Sequence, residues 1–242
     1  MRRSRALLAG LGAAQVAYGL GREHRTERST RGLVVLMLGT SAVEAVESRG
    51  WRRGAGAVAA AGALGFAAEL YGVATGRPFG HYTYSERLGP RVGGVPVLAA
   101  AAWAMMARPS WVVAGLVDRR PPVRIPLAAG ALTAWDVFLD PRMAADGYWS
   151  WPQCGRYEGI PASNFLGWWV TGLALFTVCS CVDPDDDPQR DGDGALALYA
   201  WTWIGETFAN TVLWRRPVVA GAGGAAMGAF ALPALRRRLR AA

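Results

Sequence analysis

Apolar residues fall in eight runs, at 6–20, 32–48, 55–75, 95–117, 124–140, 164–182, 195–214 and 217–234, separated by short breaks rich in Arg, Pro or Gly. Most of these runs approach the roughly 20 residues with which an α-helix crosses a bilayer. The pattern predicts an all-α fold, a polytopic transmembrane helix bundle of about seven or eight helices. Seven stays open because the first run is short and Arg108-Pro109 interrupts the fourth. Eight spans would take up roughly 160 positions, which predicts a single integral-membrane domain over 1–242 with no room for a second soluble one. Met1-Arg2-Arg3-Ser4-Arg5 and the apolar residues after it imitate a signal peptide. No small-residue cleavage site precedes the charged loop, so the segment reads as an uncleaved first span.

A chain with 52% hydrophobic and 18% charged residues is too apolar for disorder. The net charge of +8 comes from 26 basic residues, every one an Arg. They flank apolar runs and do not line one face, which excludes a nucleic-acid partner. With eight spans, Arg2, Arg3, Arg5, Arg49, Arg52, Arg53, Arg119, Arg120 and the tail Arg236 to Arg240 share one side, which the positive-inside rule makes cytoplasmic; Arg22 to Arg31 oppose this. The expected location is the cell membrane of a bacterium. The acidic stretch from Asp183 to Asp193 reads as a solvated linker. Cys154, Cys179 and Cys181 form no paired motif and read as small apolar filling. Gly224 and Gly228, four apart, suit close helix packing in lipid.

The two longest polar connections, 76–94 and 141–163, are separated by two spans and therefore share a membrane face. Both are aromatic: one runs Gly76-Arg77-Pro78-Phe79-Gly80-His81-Tyr82-Thr83-Tyr84, and the other holds Gly147-Tyr148-Trp149-Ser150-Trp151 and Gly155-Arg156-Tyr157-Glu158-Gly159-Ile160-Pro161. Interfacial aromatic belts explain part of this enrichment, and a shared roof over one cavity explains the rest. An ionised carboxylate inside a span costs at least about 2.5–3.5 kcal/mol, so each asks for a partner or a task. Glu69, Asp136, Asp140 and Glu206 sit toward the aromatic face. Asp136 and Asp140 stand one turn apart on one helix face. Glu44 lies near the opposite end and reads as an ion-paired or snorkelling surface group. The bland alternative pairs the acids with Arg77, Arg142 or Arg156. His81 and the remote His24 do not suggest a metal site.

Several ordered motifs carry a resemblance. They are Glu69-Leu70-Tyr71-Gly72-x-x-x-Gly76-x-Pro78-Phe79-Gly80-x-Tyr82-x-Tyr84 with Gly94-Val95-Pro96, then Asp136-x-x-x-Asp140-Pro141-x-Met143, Gly147-x-Trp149-x-Trp151, and Gly159-Ile160-Pro161-x-x-Asn164-Phe165-x-Gly167-Trp168. Over about 32–215 the chain resembles the integral-membrane carotenoid biosynthesis proteins, which include carotenoid 1',2'-hydratases and bisanhydrobacterioruberin hydratases. The resemblance implies addition of water to the terminal double bond of an acyclic carotenoid end group, with no cofactor. It implies a lipid-dissolved acyclic carotenoid and membrane lipid as partners, with other carotenoid-pathway enzymes as further candidates. Such a hydration needs a carboxylic acid still protonated at neutral pH.

The candidate catalytic residues are then Glu69, Asp136, Asp140 and Asn164, whose amide can orient water or bond a carboxyl group. Phe79, His81, Tyr82, Tyr84, Trp149, Trp151, Tyr157, Trp168 and Glu206 are the candidate substrate-binding residues, the aromatic rings lining a slot for a polyene and facing a developing cation. No metal ligand is assigned. Two other functions stay open. Asp136-x-x-x-Asp140 has a spacing that holds magnesium against a diphosphate in a membrane prenyltransferase, although the other acidic cluster is broken by Pro184, Pro188, Gly192 and Gly194. A carotenoid-binding or transport protein would use the acids as relays.

Overall fold

A computed structural model describes residues 3–21, 26–184 and 186–241. Arg2, the segment 22–25 with His24, and Asp185 lie outside the described residues, and the readings of them stand only on the sequence. Among the described residues the chain forms α1 (Arg3–Leu20), α2 (Glu27–Gly50), α3 (Gly56–Thr75), α4 (Val97–Val117), α5 (Pro121–Ala145), α6 (Ala162–Val182), a one-turn α7 (Pro188–Asp191), α8 (Asp193–Phe208) and α9 (Pro217–Ala241). The eight long helices coincide with the eight apolar runs. Among the described residues four helical stretches are long and apolar enough to cross a membrane, Glu27–Thr75, Val97–Val117, Ala162–Val182 and Pro217–Arg240. Of the others, α5 carries Arg124, Asp136, Asp140 and Arg142 inside its length, which lowers its hydropathy.

Helix boundaries follow from local chemistry. Thr26 caps α2 reciprocally with Ser29, each backbone N–H meeting the other's hydroxyl at 3.2 and 2.9 Å. Pro121 opens α5, where a missing N–H costs nothing. Gly76 closes α3 in the left-handed region at φ 72°, its N–H on the Gly72 carbonyl at 2.7 Å. The chain reverses at Gly50, φ 78°. A Cβ on Gly54 would stand 2.3 Å from the Ala45 carbonyl oxygen, whereas nine residues of unbroken helix would separate them by about 13 Å.

Helix α4 is the hub, packed against α2, α3, α5, α8 and α9. It runs unbroken through Pro109, so the interruption expected at Arg108-Pro109 does not occur; burial on every side holds the helix where one hydrogen bond is missing. Gly224 and Gly228 face α8, and their Cβ positions would lie 3.2 Å from Thr207 and 3.1 Å from Trp203. Close packing of the two helices uses that space.

At the Arg-rich end the structure overturns two expectations. Asp183 and Asp186 are buried, and the acidic stretch is a clamp, not a solvated linker. Asp186 accepts from Arg108 Nη1 at 2.6 Å and from Arg124, and lies 3.4 Å from Arg49 Nε. Arg49 grips Asp183 at 2.6 and 2.8 Å and Asp191 at 3.1 Å. Glu44 is ion-paired, with Arg108 at 3.2 Å, but it is buried in the bundle and not at its surface. Sequence periodicity misses this because the partners are 64 and 78 residues apart for Arg108 alone.

At the opposite end the two aromatic connections meet. Strand β1 (Thr83–Tyr84) pairs antiparallel with β4 (Trp149–Ser150), placing Thr83 opposite Ser150 and Tyr84 opposite Trp149. A second hairpin, β2 (Arg91–Val92) with β3 (Val95–Pro96), turns the first connection into α4.

Two outcomes are expected. Single cysteines at Glu86 and Gln153, both exposed, in a background without Cys154, Cys179 and Cys181, should react with an impermeant maleimide from the same side of the membrane; reaction from opposite sides would break the shared roof. Asp186→Ala should destabilise the bundle by about 3–5 kcal/mol, because the buried Arg124 loses the carboxylate it pairs with and Arg108 keeps only Glu44. Burial works against the charged Asp186 carboxyl, but Arg108 and Arg124 hold it below its ordinary range. Its contribution is therefore complete above about pH 4 and disappears as pH falls through the lower native value. Thermal unfolding in detergent as a function of pH checks both, with the variant losing part of the acid sensitivity.

Candidate active site

Five helices, α2 to α6, and both aromatic connections enclose a cavity of about 70 Å³ at the aromatic end. Glu69 from α3, Asp140 from α5, Asn164 from α6 and Trp103 from α4 reach it, together with Phe79, Tyr82, Tyr84, Trp149, Trp151 and Trp168. All of these but Trp103 are among the site residues proposed from the sequence. Glu69, Asp136, Asp140 and Asn164 are all at most 5% exposed. Among the described residues no Arg forms an ion pair with the three acids; Arg142 is spent on Asp146 at 2.7 Å. The neutralising-Arg alternative is therefore not what holds them.

Glu69 is surrounded by donors. Tyr82 and Tyr84 donate to its Oε2, Tyr84 at 2.8 Å, and Trp103 Nε1 donates to Oε1 at 3.0 Å. Burial, reinforced by the Glu69 charge, pushes the ionisation of both phenols above the usual tyrosine range, so both remain O–H donors. A carboxylate with every contact a donor is in the environment of its anion. Room for these donors comes from glycines: a Cβ on Gly65 would lie 2.1 Å from Trp103 Cγ, and one on Gly72 would lie 2.7 Å from Phe79 and 2.8 Å from the Tyr82 hydroxyl.

Asp136 and Asp140 are held differently. Asn164 Nδ2 donates to Asp136 Oδ2 at 3.0 Å and to Asp140 Oδ2. Asp136 Oδ1 is buried with no donor on it among the described residues, and the single amide nitrogen of Asn164 bridges the two carboxyl groups. The Asn164 amide nitrogen occupies the place between the acids where a cation would bind in the diphosphate alternative. Asp140 faces the cavity and Asp136 stands behind it, one turn deeper.

Three proposed residues lie elsewhere. His81 is exposed and covers Gly76 from outside. Tyr157 donates to the Val137 carbonyl at 2.9 Å and packs edge-on against Phe165; the bridge Tyr157–Ile160 turns it away from the cavity. Glu206 bonds with Asn210 on its own helix at 3.3 Å, and α8 packs on α9 and α4 and contributes nothing to the cavity wall. Sequence depth alone cannot tell which face of a helix turns inward. Trp103 was missed; the available signal was an indole N–H deep in an apolar run, which needs an acceptor. It stacks on Trp168 at 3.9 Å and 13°, and Trp168 meets Trp135 edge-on.

A helix bundle with membrane-spanning segments and buried carboxyl groups under an aromatic roof defines an integral membrane protein. The chain belongs to the carotenoid biosynthesis protein family, whose profile matches residues 31–229. A curated relative, the bisanhydrobacterioruberin hydratase of Haloarcula japonica, is 31% identical over 126 residues, covering 50% of this chain and 43% of the relative's length. No solved structure matches the chain.

Gly72→Ala is expected to destabilise the protein by about 1–3 kcal/mol through overpacking, since the added carbon meets Phe79 and Tyr82 at once. Thermal unfolding in detergent checks this; an unchanged midpoint would contradict the tight fit.

Proposed function

We propose that the protein hydrates an acyclic carotenoid end group, adding water across the terminal C-1',2' double bond to give a tertiary alcohol at C-1'. The observation that carries this reading is the contrast between two acid environments at one cavity: Glu69 with three donors on it, and Asp140 and Asp136 one helical turn apart under a single bridging amide, with no guanidinium paired to them among the described residues. Family membership and the hydratase relative support the carotenoid as substrate class.

Hydration of an unactivated alkene begins with proton transfer to the less substituted carbon and continues with water capture of the tertiary cation. Asp140, at the cavity wall, delivers the proton to C-2', and Asp136 with Asn164 holds that proton ready. Electron-rich faces of Trp103, Trp168 and Trp151 stabilise the cation at C-1'. Glu69 takes the proton released by the attacking water. The catalyst resets when that proton returns to the aspartate pair across the cavity that Glu69 and Asp140 both line. Every atom of the added water ends in the product, and no electron acceptor is required.

The cavity is far smaller than the roughly 300–1,000 Å³ of pockets that engulf a whole ligand. It admits only the reacting end. The half-buried Val34 of α2 and Leu98 of α4 line one wall, and the polyene passes that seam toward lipid.

In a host that makes acyclic carotenes, this chain should yield a more polar product heavier by one water, with polyene absorption unchanged because the hydrated bond lies outside the conjugated system. Asp140→Asn should abolish conversion. Asp136→Asn and Glu69→Gln should lower it by about 10²–10⁴-fold, the usual worth of a general acid or base. Full conversion by all three variants would overturn the mechanism, and absence of product from the unmodified chain would overturn the activity.

A further inference from the structure

We propose that Trp103 is a positioning residue that fixes the Glu69 carboxylate toward the cavity, and that Gly65 is the clearance that allows it to do so. The proposal rests on the hydration reading for its kinetic arm.

The two oxygens of Glu69 are held by different parts of the molecule. Oε2 receives the phenols of Tyr82 and Tyr84, both from the connection between α3 and α4. Among the described residues Oε1 receives only the indole of Trp103, from the hub helix. The connection alone would hold the carboxyl by one oxygen and leave it free to rotate about that contact. A second donor on the other oxygen sets its plane. Trp103 suits the task because its own ring is fixed: it is 0% exposed, stacked on Trp168 and tilted against Phe79 with centroids 6.2 Å apart.

Gly65 stands one turn before Glu69 on α3, on the side where the indole enters. Its backbone is ordinary helix, so the glycine serves space and not conformation. An alanine there would overlap Trp103 Cβ at 2.4 Å as well as Cγ, atoms at the root of the side chain that cannot swing away. Either the indole or α3 must shift, and both moves separate Nε1 from Oε1.

The test replaces Trp103 by 3-benzothienylalanine, in which sulfur takes the place of the N–H while ring size and stacking remain, with Trp103→Phe and Gly65→Ala beside it. Ultraviolet resonance Raman difference spectra, unmodified protein minus Trp103→Phe, report whether this indole N–H is hydrogen-bonded. The expected spectrum is that of a strongly bonded indole, weakened in Gly65→Ala. In turnover, the sulfur isostere and Gly65→Ala should each lose about 10–100-fold in kcat, the worth of a hydrogen bond to a charged group, with KM for the carotene within about twofold, since the apolar wall is kept. A free-indole spectrum, or a sulfur isostere with unchanged kcat, would overturn the proposal. If the unmodified protein proves to hydrate nothing, the hydration reading fails by itself, and the Raman difference still decides whether Trp103 holds Glu69.

Discussion

A carboxylate taken out of water must be given donors, and at Glu69 that requirement shapes the surrounding structure. Three N–H and O–H groups are brought to it from α4 and from the connection that follows α3. To admit them, α3 gives up side chains at Gly65 and Gly72, one turn to either side of the acid. The aromatic connection is in turn pinned into the bundle by its phenols and closed by the short β1–β4 ladder. The order of a polar loop thus follows from the electrostatics of one buried group.

The same physics is solved by a different means at the other end. There Asp186, Asp183 and Glu44 are neutralised by Arg49, Arg108 and Arg124, and Arg124 also lies 3.7 Å above the Trp111 ring. Paired ions of this kind fix geometry and have no proton to give. The acids at the aromatic end are paired instead with phenols, an indole and an amide, partners that hold position without supplying a permanent positive charge. The two ends therefore differ in kind: one fastens α2, α4 and α5 to Asp183 and Asp186 through ion pairs, and the other holds its carboxyl groups without guanidinium partners among the described residues, as the proposed proton transfer requires.

Much of this is legible in the sequence. Eight apolar runs mark the eight long helices, because span length and hydrophobicity are local properties. Loop parity places the aromatic connections on one face, and the ordered motifs around Glu69, Asp136 and Asn164 mark the family and most of the cavity. What is not legible depends on facing and on long-range pairing. Glu206 and Tyr157 have the right depth but turn away, and His81 sits outside the roof. Trp103 gives no local signal beyond a lone indole, since its partner is 34 residues away. The acidic run 183–193 has the composition of a solvated linker, and only the Arg side chains of three separate helices make it an internal clamp.

The central claim is that paired acids across one membrane-buried cavity add the elements of water to an alkene. Isotope incorporation by the purified protein tests it directly. With an acyclic carotene in H₂¹⁸O, the product should carry one ¹⁸O in its tertiary hydroxyl, and in D₂O one non-exchangeable deuterium on the adjacent carbon. A hydroxyl whose oxygen comes from dissolved O₂, or a product with no carbon-bound deuterium, would contradict the account.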